Sequence, residues 1–195
     1  MLRTICEDFS FILVRNRIVS EEDREIYIYG LELILNSLVA IGTIVILGFL
    51  LNKVLITAVF LIVFCSIRSY SGGYHANQYW KCYCIGCLTY LSVVMLAENI
   101  SIHSSGLYSL SMLIISYIGI FLMAPQNSDK NPKTRDEIRK NNITTKALTS
   151  LYTLIATIGI FAYPNANKLW FTIACTQLVV TIFLMITILQ RRYVR

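Results

Sequence analysis

Apolar and polar positions fall in long blocks along this chain, not in the short rhythm of a soluble helix or strand. Six apolar runs stand out, at about 27–51, 54–67, 83–98, 107–124, 147–163 and 169–189. As helices, the first, fourth and sixth are long enough to cross a hydrocarbon core of about 30 Å, and the fifth falls only slightly short. The second and third are shorter, and at ~1.5 Å per residue each covers about 20–25 Å. Either their helices continue into the polar stretch between them, with Arg68 and Lys81 reaching the headgroups, or the pair dips into the bilayer as a re-entrant hairpin. Ahead of the first run, Leu2, Ile5, Cys6, Phe9, Ile12 and Leu13 recur at helical spacing, with Arg3, Glu7, Asp8 and Ser10 on the other side. That pattern predicts a helix lying in the interface plane, or alternatively a docking face for an amphipathic partner. Ser20-Glu21-Glu22-Asp23 offers an N-cap and an acidic first turn for the helix that follows. The expected fold is all-α: a polytopic membrane protein of about six membrane-embedded helices plus an N-terminal interfacial amphipathic helix. Residues 1–195 form a single integral membrane domain, in which 1–25 are the interfacial helix and its linker.

Composition agrees with the block pattern. The 195 residues are 56% hydrophobic and only 14% charged, against about 25% charged in soluble domains. The first 25 residues carry charges without a long apolar stretch or a small-residue cleavage site, so the first span is expected to act as its own signal anchor. A net charge of +6 in a soluble chain would point to nucleic acid. Here the basic residues lie between apolar runs and read as topology determinants and contacts to the lipid bilayer, so no nucleic acid partner is expected. Arg3, Arg15, Arg17 and Arg24 precede the first run, Arg68 and Lys81 flank the polar island, six Lys and Arg fill 125–146, and three end the chain. The other connections hold only Lys53 and Lys168. With six crossings that split is 15 against 2 of the 17 basic residues, which places both termini, the island and the basic loop on the cytoplasmic side. His103, in a short outside connection, reads as a solvated polar residue.

Chemistry concentrates in the island from Arg68 to Cys87, where a double glycine, a histidine and three cysteines interrupt the apolar pattern. His75 is one of two histidines in the chain and the only base close in sequence to Cys82. A thiol becomes a useful nucleophile when a base takes its proton. On one continuous helix the two would share a face but stand about 10 Å apart, too far for a hydrogen bond. A working dyad therefore needs the chain near Ala76-Asn77 to leave the helix, and Gly72-Gly73 permits such a bend. Cys82 in the first turns of the next helix would gain from the positive end of the helix dipole. Arg68 reads equally as a partner for a substrate carboxylate or oxyanion and as an ordinary boundary arginine. His75, Cys82, Cys84 and Cys87 also offer four soft ligands for zinc. Cys82 and Cys84, however, point about 160° apart on a helix, so Cys84 and Cys87 read as packing residues and no metal is expected. The remaining alternative is a small non-enzymatic transporter or scaffold, although no span carries a buried charge pair. The six cysteines do not form a disulfide framework. In 125–146, Lys130, Lys133, Arg135, Arg139 and Lys140 read as a positive-inside signal and as a cradle for an acidic peptide.

The pattern Arg68-x4-Gly73-x-His75-x6-Cys82 after an apolar run, with Ala124-Pro125 and Asn131-Pro132 after the fourth run, resembles the accessory gene regulator protein B (AgrB) family. The length, the six-run hydropathy and the basic loop agree, so the resemblance spans essentially the whole chain. It implies a bacterial cell-membrane cysteine endopeptidase that matures the propeptide of a cyclic quorum-sensing signal. It makes 68–82 the catalytic cytoplasmic-side segment, His75 the catalytic histidine, Cys82 the nucleophile, and Arg68 and Gly73 supporting residues. The implied partner is an AgrD-like propeptide with an amphipathic N-terminus and an acidic C-terminus, cleaved through a thioester and released as a thiolactone. No metal or organic cofactor is implied. Helical membrane enzymes of this size often pair, which makes a homodimer a candidate assembly.

Overall fold

A computed structural model describes residues 2–16, 18–72, 79–100, 102–126 and 134–193. These form seven α-helices and one 3-10 turn, with no strand among the described residues. They are α1 (Leu2–Arg15), α2 (Arg24–Leu50), α3 (Val54–Ser71), α4 (Tyr79–Asn99), α5 (Ile102–Met123), α6 (Arg135–Ala162) and α7 (Asn167–Tyr193), the turn being Pro164–Ala166. From α2 onward, all six helices are long and apolar enough to cross a membrane. The protein is an all-α, multi-pass membrane protein.

The two short apolar runs become full-length helices. α3 has 18 residues and α4 has 21, about 27 Å and 31 Å at ~1.5 Å per residue, so length does not oblige them to form a re-entrant hairpin. Each gains its extra turn from polar island residues: Arg68 to Ser71 extend α3, and Tyr79 to Cys82 begin α4. α6 departs further from the apolar pattern. It starts at Arg135, twelve residues before the run at 147, and opens with a Thr134–Glu137 capping box. The Glu137 N–H donates to Thr134 Oγ1 at 3.3 Å, and the Thr134 N–H donates to Glu137 Oε2 at 2.8 Å. Such a box satisfies two of the amide groups that a helix start leaves unpaired.

α7 is the central column. Every residue from Phe171 to Gln177 is buried, so nearly two turns are enclosed on all sides. Two hydrophobic clusters share α3 and α7 as a common wall. One adds Ile44 of α2 and Tyr90, Val93 and Val94 of α4 to Phe60 and Phe171. The other adds Leu113 and Ile120 of α5 and Ala156 of α6 to Val63, Ile67, Ala174 and Leu184. Polar side chains pin the second half of the bundle. The fully buried Gln177 accepts at Oε1 from Ser116 Oγ of α5 (3.4 Å) and Thr153 Oγ1 of α6 (3.2 Å). Thr57 and Tyr90 share a buried 2.7 Å hydrogen bond between α3 and α4. Between spanning helices, where burying apolar surface gains little over lipid, packing and such bonds carry association.

Contacts at the helix ends show which termini lie together. At one end, Glu98 of α4 pairs with Lys53 before α3 (2.9 Å) and Lys168 of α7 (2.8 Å), and Asn167 donates to Ser105 Oγ of α5 (3.3 Å). At the other, the end of α3 meets the residues after α5. α1 packs along α2 through the buried Cys6 and Ser10, and Arg24 Nε donates to Ser10 Oγ at 3.2 Å. Its Ile5, Phe9, Phe11 and Ile12 remain exposed.

Candidate functional site at the ends of α3 and α4

The last turn of α3 carries Arg68, and it stops at Gly72, whose φ is 68° and ψ is −145°. Glycine adopts that conformation freely, whereas residues with a Cβ almost never do. The Arg68 guanidinium donates through Nη1 to the Gly72 carbonyl and lies over the Phe183 ring of α7, 5.7 Å from its centroid. A half-buried guanidinium in apolar surroundings is costly unless its donors are used. Here a carbonyl and an aromatic face both engage it.

Cys82 sits in the first turn of α4, half-buried. It lies within electrostatic reach of the Arg68 guanidinium. The helix start and the arginine thus meet beside one thiol. The other cysteines differ. Cys87 packs against the cluster around Phe60 and Tyr90, Cys84 is half-buried one turn before it, and all six thiols are free. Among the described residues no three His, Cys, Asp or Glu converge as metal ligands, so Cys82, Cys84 and Cys87 do not themselves form a ligand set.

The residues after α5 complete the arrangement. The Gln126 N–H donates to the Ser71 carbonyl at 2.9 Å, and the Gln126 carbonyl occupies the space a Cβ on Gly72 would need. The Gln126 side chain donates back to the Met123 carbonyl. The Arg68 stretch and the Ala124-Pro125 stretch, separate signals in the sequence, are therefore joined end to end. Gly73, His75, Lys130 and Lys133 lie outside the described residues. Arg135, Arg139 and Lys140 are exposed on the first two turns of α6, on the helix that Lys146 ties to α5 by lying 5.5 Å from the Phe121 ring centroid.

The family model for Accessory gene regulator B matches residues 6–189 of this chain. The chain belongs to the accessory gene regulator B family. Two other AgrB-like proteins, both from Clostridium perfringens, are similar to it. "Putative AgrB-like protein 2" of strain 13 / Type A is 24% identical over 166 residues, covering 80% of this chain and 78% of its own. "Putative AgrB-like protein" of strain SM101 / Type A is 26% identical over 169 residues, covering 78% and 77%. No solved structure matches this AgrB-family chain.

The sequence pattern singles out Arg68 and Cys82, which the structure places within electrostatic reach of each other, but it does not single out Phe183 or Gln126. Phe183 reads as one apolar residue among many in the last run. Gln126 directly follows the Ala-Pro pair, and that adjacency was the one available signal.

Proposed function

We propose that the protein is a membrane cysteine endopeptidase that matures a short propeptide into a cyclic signal. The observation that carries this reading is the placement of Cys82 at a helix start within electrostatic reach of Arg68. Membership of the accessory gene regulator B family supports a processing role of this kind. His75 takes the proton from Cys82 Sγ, and the thiolate attacks a peptide carbonyl in the C-terminal part of the substrate. Arg68 steadies the oxyanion that forms. As the C–N bond breaks, His75 returns the proton to the leaving amine, and the upstream peptide stays on Cys82 as a thioester. A substrate cysteine thiol then attacks that thioester, a thiolactone leaves, and Cys82 recovers its proton through His75. Exchange of one thioester for another is nearly balanced, so ring closure itself needs no external energy source. Gly73 acts as a supporting residue beside His75. The site and both termini face the cytoplasm, and Lys130, Lys133, Arg135, Arg139 and Lys140 bind the acidic C-terminus of an AgrD-like propeptide.

The test uses a propeptide encoded beside this protein, with its ring-forming cysteine replaced by alanine, so that the acyl group has no internal thiol to leave to. A hydroxylamine-sensitive adduct is expected to build up on the wild-type chain and to be absent in Cys82→Ala and His75→Ala. Both variants should insert and accumulate normally, and Cys84→Ala and Cys87→Ala should stay active. An adduct mapping to Cys84 or Cys87, or cleavage that survives Cys82→Ala, overturns the assignment.

A further inference from the structure

The joint between the end of α3 and the residues after α5 is built almost wholly from backbone. Ser71 is fully buried, and its carbonyl accepts from the Gln126 N–H at 2.9 Å. Gly72 turns with a positive φ, and its missing side chain is where the Gln126 carbonyl sits. The same turn aims the Gly72 carbonyl at Arg68 Nη1. Phe183 holds the other side of the guanidinium. The direction in which Arg68 points therefore depends on a residue of a different helix connection, remote in sequence.

We propose that Gly72 and Gln126 are positioning residues, whose backbone joint holds the Arg68 guanidinium toward the Cys82 thiol. This inference rests on the reading of Cys82 as the nucleophile. Arg68 has a long side chain with several rotamers, and without the Gly72 carbonyl its charged end loses one of the contacts that set its direction. A Cβ at Gly72 meets the Gln126 carbonyl and a backbone conformation it cannot share, so the turn must rearrange and the carbonyl swings away. Proline at 126 removes the N–H donor to Ser71 while leaving Gly72 itself intact.

The experiment needs no propeptide. In the full-length chain with Cys82 as the only cysteine, held in lipid vesicles, the rate of iodoacetamide alkylation is followed between about pH 5 and 10. A cation beside a cysteine favours its reaction with the reagent, so Arg68→Gln is expected to slow alkylation at pH 7 by about fivefold and to lower the rate profile. Gly72→Ala and Gln126→Pro should each move it in the same direction, and Gly72→Ala added to Arg68→Gln should change nothing further, because the two act through one group. The exposed Ser69→Ala, one helical step from Arg68, should leave the profile in place. A residue of merely structural importance would lower thermal stability without moving this profile. If Arg68→Gln shifts the profile while Gly72→Ala and Gln126→Pro do not, the joint is not a positioning device and the inference fails alone. If Arg68→Gln has no effect, the inference fails because Arg68 does not act on Cys82. If His75→Ala also leaves alkylation unchanged, the nucleophile reading falls with it.

Discussion

At the scale of single residues, surroundings separate cysteines that composition treats alike. Cys6 is fully buried against α2, and burial first, then the negative charges of Glu32 and Glu7, pushes its thiol above the ordinary value of about 9. A raised thiol value means the folded chain holds that proton more tightly than the unfolded one. Its contribution to stability is complete below about pH 9 and lost as pH rises through the folded value. In a version retaining only Cys6, iodoacetamide at pH 8 is expected to label the native chain at least about tenfold more slowly than the unfolded chain, as mass spectrometry would register. Equal rates would mean that α1 does not stay packed on α2. In the sequence the spacing to His75 singles out Cys82, and helical geometry sets Cys84 and Cys87 apart. The partners of Glu98 were not legible. It lies in the last turn of α4, but Lys53 and Lys168 come from connections far away in sequence, and only the closed bundle brings the three together.

The elements were readable where hydropathy alone decides them, and α6 shows where it does not. Thr145 and Thr149 are fully buried facing neighbouring helices, yet a hydroxyl and the charges before it weaken an apolar signal. The apolar run therefore starts only at 147, while the helix itself begins at Arg135. That early start gives Arg135, Arg139 and Lys140 a regular, exposed surface. If they help bind an acidic propeptide tail, replacing all three with glutamine should weaken binding by about tenfold at low salt, the difference shrinking toward high salt as screening takes over. Titration of vesicles with a labelled acidic peptide at two ionic strengths measures both effects. Unchanged binding, with insertion intact, would leave this helix start as a topology signal only.

For the molecule as a whole, the six apolar helices, though not the bounds of α3, α4 and α6, were legible because the bilayer sets their length. Their arrangement was not, since the run that becomes α7 is no more apolar than the run that becomes α2, and hydropathy cannot tell a lipid-facing helix from an enclosed one. The two basic residues on the sparse end, Lys53 and Lys168, are both tied to Glu98, which leaves the other end to carry nearly all the uncompensated positive charge. Single cysteines at Asn127 and Asn165 in a cysteine-free chain should accordingly label from opposite faces of the membrane, Asn165 from outside. Labelling of both from outside in intact cells would sink the six-span arrangement.

The enclosed position of α7 also sets a timetable. The ribosome makes it after the other described helices, yet with α3 it supplies the wall shared by both hydrophobic clusters and it carries the aromatic face beneath Arg68. Until it arrives, Ser116 of α5 and Thr153 of α6 lack the Gln177 Oε1 to which they donate. The half-made protein can thread the membrane but cannot close around its own centre. Closure of the bundle is thereby deferred until α7 has been made, whatever the order in which the earlier helices enter the membrane.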